Sequence, residues 1–311
     1  MSVRLAPLPA DRFDAWRAAT RERLIAVLRE SGRRPGADAP AYADAFLEEL
    51  LPVGAATPTA RLLVISQDGA EAGTVWLGVN AGKMFLVSVD AGEAVAGSDE
   101  LFDAILAIAQ GEGVRRISAG VLSADRAVRS LIEGRGFTVS SIQMLLEPLP
   151  DERETVPDVV VAPMTPGRFP SYAAHAEAAF AVDLVDSGRY TAEEAEAESH
   201  RQMLMELPDG LRTEGQSFFT ASVGGEEVGT LWIGMRERDG RPHAFVLDIE
   251  VAEEHRRRGY GRVLMHAAER EGRALGAESI GLHVFGFNTG AIDLYERLGY
   301  RRIEETCVLD L

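Results

Sequence analysis

The sequence predicts an α/β protein made of two tandem copies of one unit, each a mixed sheet flanked by helices. The first observation behind this is a repeat: residues 73–78 read GTVWLG, and residues 229–234 read GTLWIG, 156 positions later (229 minus 73). The second is that LIEGRGF (131–137) matches LYERLGY (294–300) at a separation of 163 (294 minus 131). The seven residues gained in between are expected around the arginine- and glycine-rich segment 256–261, where the copies should differ in chemistry.

The third observation is the order of apolar patterns in the second copy. Helical periodicity covers about 169–186 and 192–207, and TAEE from Thr191 to Glu194 predicts a capping box for the second of these helices. Three strand-like runs follow, and then a helix, a strand, a helix and a terminal strand. In chain order these seven segments are SFFTASV, EVGTLWIGM, HAFVLDIEV, 259–275, ESIGLHVF, 289–298 and RIEETCVLDL.

The proline- and charge-rich segment PLPDERETVPD is typical of a linker. It predicts one domain over 1–150, a linker at 151–158 and a second domain over 159–311.

Composition excludes several classes of protein. The 311 residues carry a formal charge of −17, which argues against a nucleic-acid partner and mildly favours a cationic substrate. Cys307 is the only cysteine, so we expect no intramolecular disulfide, no cysteine-based zinc site and no metal; we interpret it as a small buried apolar side chain. No apolar run is long enough to cross a bilayer or to act as a secretion signal, and a cytoplasmic location is the default expectation.

The strand-like segment AFVLDIEV alternates in polarity. This predicts Phe245, Leu247, Ile249 and Val251 on one face, and the other face carries two carboxylates, Asp248 and Glu250. Carboxylates on such a face must contact water or a site.

The segment RRRGYG, directly after this strand, opens a helix. Gly259 and Gly261 leave the backbone amides accessible to an anion, and the helix start adds unpaired N–H donors. Arg256, Arg257 and Arg258 add positive charge, so the segment favours a diphosphate site over plain surface charge. A dinucleotide fingerprint needs a third glycine, where Leu264 stands, and a P-loop needs a lysine that this half lacks. What remains is the pattern R-x-x-G-x-G.

This pattern, followed by Asn288, Tyr295 and the closing LGY in that order, resembles the GNAT superfamily of acyl-coenzyme-A-dependent N-acyltransferases. The resemblance is full over about 160–311 and fainter over about 1–150. It implies a mostly antiparallel mixed sheet and acetyl-coenzyme A as co-substrate.

The resemblance also implies roles for individual residues. Backbone groups of Ile249, Glu250 and Val251 would pair with the pantetheine arm, and Asn288 would bond to the same arm. Tyr295 would donate a proton to the departing thiolate. Amides of the loop and first helical turn would hold the pyrophosphate: Arg257, Arg258, Gly259, Tyr260, Gly261 and Arg262, with Arg256 opening the motif.

Several of these residues have structural alternatives. Tyr295 shares a helix face with apolar residues and could belong to the core, although its counterpart in the first copy, Ile132, cannot donate a proton. Asn288 is a good N-cap for the helix that starts at Thr289. Either Asp248 or Glu250 could accept the proton of the amine or bind a cationic acceptor. His283 is expected on the surface.

In the first copy, SVDAGEAVAGSDELF replaces the loop and acidic residues replace the arginines, which predicts weak or no coenzyme A binding. The leading helices of the second copy, with Phe180 and Tyr190, are where the family shapes its acceptor pocket. The predicted function is acetyl transfer to a primary amine of a small molecule by direct attack in a ternary complex. Alternatives are a non-catalytic coenzyme A- or drug-binding protein and an acyltransferase acting on protein N-termini or lysines, as a monomer or homodimer.

Overall fold

A computed structural model describes residues 2–151, 158–187 and 190–311. The chain forms two compact units: unit 1 is Met1–Ser140 with Ile303–Leu311, and unit 2 is Ser141–Arg302. The predicted domain limits, 1–150 and 159–311, differ from these units. The predicted linker falls largely on residues 152–157, which lie outside the described residues.

Unit 1 has a six-stranded sheet in the order β1-β2-β3-β4-β5-β12, in which every neighbouring pair is antiparallel except β4 and β5. The strands are β1 (Val3–Pro7), β2 (Ala60–Gln67), β3 (Ala70–Asn80), β4 (Lys83–Ala91), β5 (Arg116–Leu122) and β12 (Arg301–Asp310). The helices are α1 (Phe13–Ser31), α2 (Ala39–Leu50), α3 (Glu93–Ala96), α4 (Asp99–Gly111) and α5 (Arg126–Ile132).

Unit 2 repeats this arrangement in the order β7-β8-β9-β10-β11-β6, with β10 and β11 as its parallel pair. The strands are β6 (Thr138–Leu146), β7 (Val159–Pro163), β8 (Gln216–Val223), β9 (Glu226–Arg238), β10 (Arg241–Val251) and β11 (Ser279–Phe285). The helices are α6 (Phe169–Asp186), α7 (Ala192–Glu206), α8 (Tyr260–Ala274) and α9 (Thr289–Arg297). The mixed, mostly antiparallel sheets and the predicted elements of this copy are confirmed, including the capping box at Thr191. The short strands β1 and β7 are additional.

The final strand of each unit comes from the other half of the sequence. β6 pairs with β11 and places Ile142 and Met144 in the core of unit 2. β12 pairs with β5 and places Cys307 in the core of unit 1, as a buried apolar side chain with a pKa that burial raises to about 11. The predicted domains, each a continuous range of residues, therefore assign β6 and β12 to the wrong units. Periodicity along the chain indicates that a strand is buried but not which sheet it joins.

The extra residues of the second copy lie mainly in a hairpin. Gly73 faces Ala91, and Gly229 faces Val251, so the copies are already 160 positions apart at the end of β10. Four of the seven added residues therefore lengthen the β9–β10 hairpin and do not surround segment 256–261 as expected. A Cβ on either glycine would overlap the backbone carbonyl of the facing strand, which explains the repeated glycine.

No helix among the described residues has the length and apolar character needed to cross a bilayer.

Candidate active site

Strands β10 and β11 separate partway along their length. Their parallel pairing runs from His243–Ser279 to Val246–Leu282, whereas β10 continues to Val251 against β9. The last five residues of β10 therefore have a strand on one side only. An extended ligand with amide groups can add to such a backbone edge as a strand does.

A β-bulge shifts β10 at the same place. The register against β9 passes from Val246 to Asp248, so Leu247 is an extra residue. Consequently Ile249 and Val251 pack on the core with Val246, whereas Leu247 packs on the opposite side beside Tyr172. The predicted shared face of Phe245, Leu247, Ile249 and Val251 is wrong for this reason. Asp248 and Glu250 nevertheless point away from the core that holds Ile249.

The loop between β10 and α8 has an unusual backbone. Arg257 (φ 63°) and Gly259 (φ 89°) both have left-handed conformations, and Gly259 is the residue before the first turn of α8. Arg256 is held against the end of β10, because its Nε donates to the Val251 carbonyl at 3.1 Å. A Cβ on Gly261 would lie 3.2 Å from Cδ2 of Leu294, so α8 starts in close contact with α9.

The first turn of α8 is suited to an anion. The amide of Arg262 is bonded to the Gly259 carbonyl at 3.1 Å, and the amides that precede it lie in the part of a helix that has no intrahelical acceptor. No side chain caps this helix start, and the Arg256, Arg257, Arg258 and Arg262 side chains are exposed around it. Glycines, free helix-start amides and arginines thus fit a pyrophosphate. The predicted loop residues are brought together.

Asp248 lies beside Tyr172 of α6, whose hydroxyl donates to Oδ2 at 2.9 Å. The pKa of Asp248 is raised to about 6, mainly by burial and to a smaller extent by the neighbouring Glu250 and Asp183 carboxylates, whereas the Tyr172 hydrogen bond lowers it. A carboxyl group with a pKa in this range can exchange a proton near neutral pH.

Glu250 lies beside His175, with Nε2 of the histidine 2.8 Å from Oε2. Asp183, also on α6, has a pKa raised by burial and then by the carboxylates of Asp186 and Glu250. Four carboxylates, those of Asp183, Asp186, Asp248 and Glu250, therefore influence one another at the carboxyl end of β10. Such a cluster favours a positively charged ligand.

Tyr295 is 5% exposed and packs in the core of unit 2, with its ring 6.0 Å from that of Tyr300. Burial, and next the charge of Asp248, raises its pKa above the ordinary value, which keeps the hydroxyl protonated. Asn288 caps α9, since its Oδ1 accepts from the Ala291 amide at 3.3 Å. The structural alternatives for both residues, core packing for Tyr295 and capping for Asn288, are therefore observed contacts, and their ligand roles stay predictions. His283 is exposed, as predicted.

Three residues of α6 were missed by sequence reasoning: Tyr172, His175 and Asp183. A signal for them exists in the repeat, because at a separation of 156 their counterparts in the first copy are Trp16, Ala19 and Val27. Polar residues replace apolar or small ones at three positions of one helix.

No group of three or more His, Cys, Asp or Glu side chains is placed so that it could hold a metal ion, within the ranges that the structure describes.

Comparisons with known proteins agree with this geometry. A family model described as "Acetyltransferase (GNAT) family" matches residues 182–300. An uncharacterized N-acetyltransferase, YycN, from Bacillus subtilis is 28% identical over 147 residues, which are 47% of this chain and 94% of that protein. A mycothiol acetyltransferase from Propionibacterium freudenreichii is 33% identical over 106 residues, which are 32% of this chain and 34% of that protein.

Solved structures of tandem length match almost the whole chain, and one of them has a TM-score above 0.5. A GCN5-related N-acetyltransferase from Sphaerobacter thermophilus covers 99% of this chain and 95% of its own, with a TM-score of 0.52 and 18% sequence identity. At this identity the likeness concerns the fold, and it extends over both copies.

Proposed function

We propose that this chain, which a model of the acetyltransferase (GNAT) family matches over residues 182–300, uses acetyl-coenzyme A to acetylate a primary amine of a small molecule at the carboxyl end of β10 in unit 2. The observation that carries this proposal is the convergence at one strand end. A diphosphate-type loop follows Val251, and the carboxyl of Asp248, with a pKa raised to about 6, lies three residues earlier.

Binding of the donor is assigned to backbone groups. The amides of the loop and the first turn of α8 would hold the pyrophosphate, with charge from Arg256, Arg257 and Arg258. The free edge of β10 at Ile249, Glu250 and Val251 would pair with the amide-containing arm. Tyr260, Gly261 and Arg262 contribute the helix start, and Asn288 lies at the start of α9.

The amine side of the reaction is assigned to the carboxylates. An amine with an ordinary pKa near 10 arrives as a cation, which the cluster around Glu250 would attract. The cation must first release one proton to solvent, because an ammonium nitrogen has no lone pair with which to attack. When the neutral nitrogen bonds to the thioester carbon, it becomes acidic and must lose a second proton. Asp248 is suited to accept this proton, because its pKa is close to neutral and the Tyr172 hydroxyl fixes one of its oxygens. The Glu250–His175 pair would hold the amine in place.

Tyr295 is assigned to the leaving group. Burial raises its pKa, so the hydroxyl is protonated at neutral pH and can donate a hydrogen bond to the sulfur as the carbon–sulfur bond breaks. A proton that passes to the thiolate in this step is regained by Tyr295 from solvent. Both substrates would be present together, so no covalent enzyme intermediate is required.

A thiol-release assay tests the proposal. The full chain with acetyl-coenzyme A is presented with simple amines, polyamines, amino acids and aminoglycosides, and free thiol is measured with and without each acceptor. We expect acceptor-dependent release that Asp248→Asn abolishes or strongly reduces. Tight binding of acetyl-coenzyme A with no release for any acceptor would indicate a binding protein instead.

A further inference from the structure

Unit 1 contains a cavity of about 410 Å³ between α1, α2 and the strands β3, β4 and β5. This volume lies in the range of sites that hold drug-sized molecules. All of its lining residues belong to unit 1, and it is separate from the residues proposed to bind acetyl-coenzyme A.

The wall of this cavity is mainly apolar and aromatic. Tyr42 and Phe46 of α2 are stacked with ring centroids 6.4 Å apart, and Phe46 meets Trp76 of β3 edge-on at 6.2 Å. Phe85 of β4 adds a fourth ring and is 46% exposed, which is unusual for a phenylalanine in a strand. Aromatic walls of this kind favour a flat apolar ligand.

Side chains that line the cavity at two positions are smaller than their counterparts in unit 2. Phe180 and Phe285 pack together in unit 2 with ring centroids 6.3 Å apart. Their counterparts in unit 1 are Leu24 (at a separation of 156) and Leu122 (at a separation of 163), and both line the cavity. Two rings that pack against each other in one unit are thus absent from the other.

The charges in the wall disfavour an anion. Arg23 forms an ion pair with Asp90, and Nε of Arg33 lies 2.8 Å from Oε2 of Glu304, so both lining arginines already have carboxylate partners. Asp125 also lines the wall and adds a further carboxyl group, which caps α5 by accepting from the Val128 amide at 3.1 Å. A phosphate or carboxylate ligand would meet paired cations and an additional acid.

One hydroxyl in the wall is left without a hydrogen bond. Thr20 of α1 lines the cavity and is 3% exposed, and its Oγ1 has no hydrogen-bond partner among the residues that the structure describes. Buried polar atoms without partners are rare in folded proteins, and a ligand group is one way to satisfy them.

We propose that unit 1 binds, in this cavity, a small and mainly apolar molecule that has no negative charge and carries one hydrogen-bonding group, such as an amine or a hydroxyl. The copy that lacks the diphosphate loop thus serves as a second, chemically different binding site. A pyrophosphate-bearing ligand does not fit this wall.

A pair of fluorescent probes tests the charge and class of the ligand. N-phenyl-1-naphthylamine is neutral and aromatic with one N–H group, and 1-anilinonaphthalene-8-sulfonate has the same skeleton with an added sulfonate. Both are titrated against the full chain, with and without saturating coenzyme A. We expect saturable one-to-one binding of the neutral probe, at least tenfold tighter than the sulfonate and unchanged by coenzyme A. No saturable binding, equal or tighter binding of the sulfonate, or displacement by coenzyme A would each overturn the proposal.

Matched variants on α1 test the location. Val27 lines the cavity, whereas the adjacent Ala26 is exposed to solvent. Val27→Trp should weaken binding of the neutral probe at least tenfold, and Ala26→Trp should leave it unchanged; equal effects of the two variants would contradict the assignment. If Val27→Trp lacks a cooperative thermal transition, Gly120→Leu replaces it, because a Cβ there has only Glu304 Oε1 nearby, at 3.7 Å. Retained probe affinity in a folded Gly120→Leu protein would also refute the site.

Discussion

The long helix between the two parallel strands, α4 in unit 1 and α8 in unit 2, begins in opposite ways in the two units. In unit 2, Gly259 starts α8 with a left-handed backbone and no side-chain cap, and three arginines precede it. In unit 1, the Ser98 side chain caps α4 by accepting from the Leu101 amide, and Asp99 and Glu100 occupy the first turn. One helix start therefore offers donors and positive charge to an anion, whereas the other is satisfied by its own chain and surrounded by negative charge.

The strands before these helices, β4 and β10, share their backbone shape and differ in one polar side chain. The register against the preceding strand places Ser88 opposite Trp76 and Asp248 opposite Trp232, so a serine in unit 1 corresponds to the buried carboxyl of unit 2. Both strands are bulged just before this residue. The comparison shows that the backbone shape, including its irregularity, belongs to the fold, and that the chemistry lies in a few side chains carried by it.

The largest expected effect comes from removing the carboxylate that unit 1 lacks. Asp248→Asn should lower kcat by about 10²- to 10⁴-fold, because the nitrogen loses its proton acceptor. In the wild type, kcat/KM should rise with pH through about 6, where Asp248 loses its proton, and this rise should be absent from the variant. Steady-state kinetics from pH 5 to 8 would measure both.

Two further variants separate the roles of the carboxylates. Glu250→Gln should raise KM for the amine more than it lowers kcat, because Glu250 is assigned to holding the cation beside His175. Glu237→Gln, an exposed change on the neighbouring strand β9, is the control and should alter neither parameter. A loss of the pH 6 limb in Glu250→Gln alone would transfer the role of proton acceptor to Glu250.

The second effect concerns the helix start. The double variant Arg256→Ala/Arg258→Ala should weaken acetyl-coenzyme A binding by about 100-fold, since contacts of charged groups with phosphate contribute about 1.5–3 kcal/mol each. Arg270→Ala removes an exposed arginine further along α8 and should leave affinity unchanged. Isothermal titration calorimetry would give the values. Unchanged affinity in the double variant would remove the basis for the assigned cradle.

The third effect concerns stability: the variant Asp248→Asn, which should lose activity, should be more stable than the wild type. The pKa of Asp248 is raised from 3.8 to about 6 in the folded state, so the folded state favours the protonated carboxyl group. The protonated carboxyl therefore contributes to the free energy of unfolding at low pH, and this stabilisation is lost as the pH rises through about 6. Asp248→Asn should therefore raise the free energy of unfolding at pH 8 by about 2 kcal/mol, and the gain should disappear near pH 4. Urea denaturation at both pH values would measure it. The exposed Asp209→Asn, outside the carboxylate cluster, is the control, and a gain that persists at pH 4 would contradict the cause.

A smaller effect is expected at Tyr295, whose counterpart in unit 1 is Ile132. Tyr295→Phe keeps the buried ring and removes only the hydroxyl, so the protein should remain folded and bind acetyl-coenzyme A as before. We expect kcat to fall by about tenfold or more, because general acid assistance is lost. A kcat equal to that of the wild type would assign Tyr295 to the core alone.

The sequence predicted the local features of the site and missed those that depend on distant contacts. Arg256, Gly259 and Gly261 stand close together in the sequence, so a short pattern was sufficient to propose a site there, and the structure brings them together in one loop. The Tyr172–Asp248 hydrogen bond joins residues 76 positions apart, and no periodicity within α6 or β10 indicates it. The bulge at Leu247 was likewise invisible, because the alternation of apolar residues continues through it while the faces exchange.

The smallest expected effect lies in the cavity of unit 1, at the threonine whose counterpart in unit 2 is Ala176. Thr20→Val replaces a buried hydroxyl that has no partner among the described residues by a methyl group of similar size. It should raise the free energy of unfolding by about 1 kcal/mol, since a buried polar atom without a hydrogen bond is unfavourable by about 1–3 kcal/mol. Thr20→Ser keeps the hydroxyl, loses a methyl group, and should lower stability. Chemical denaturation of the free protein would compare them, and a destabilised Thr20→Val would mean that the hydroxyl is already satisfied, leaving the cavity without an open hydrogen-bonding group.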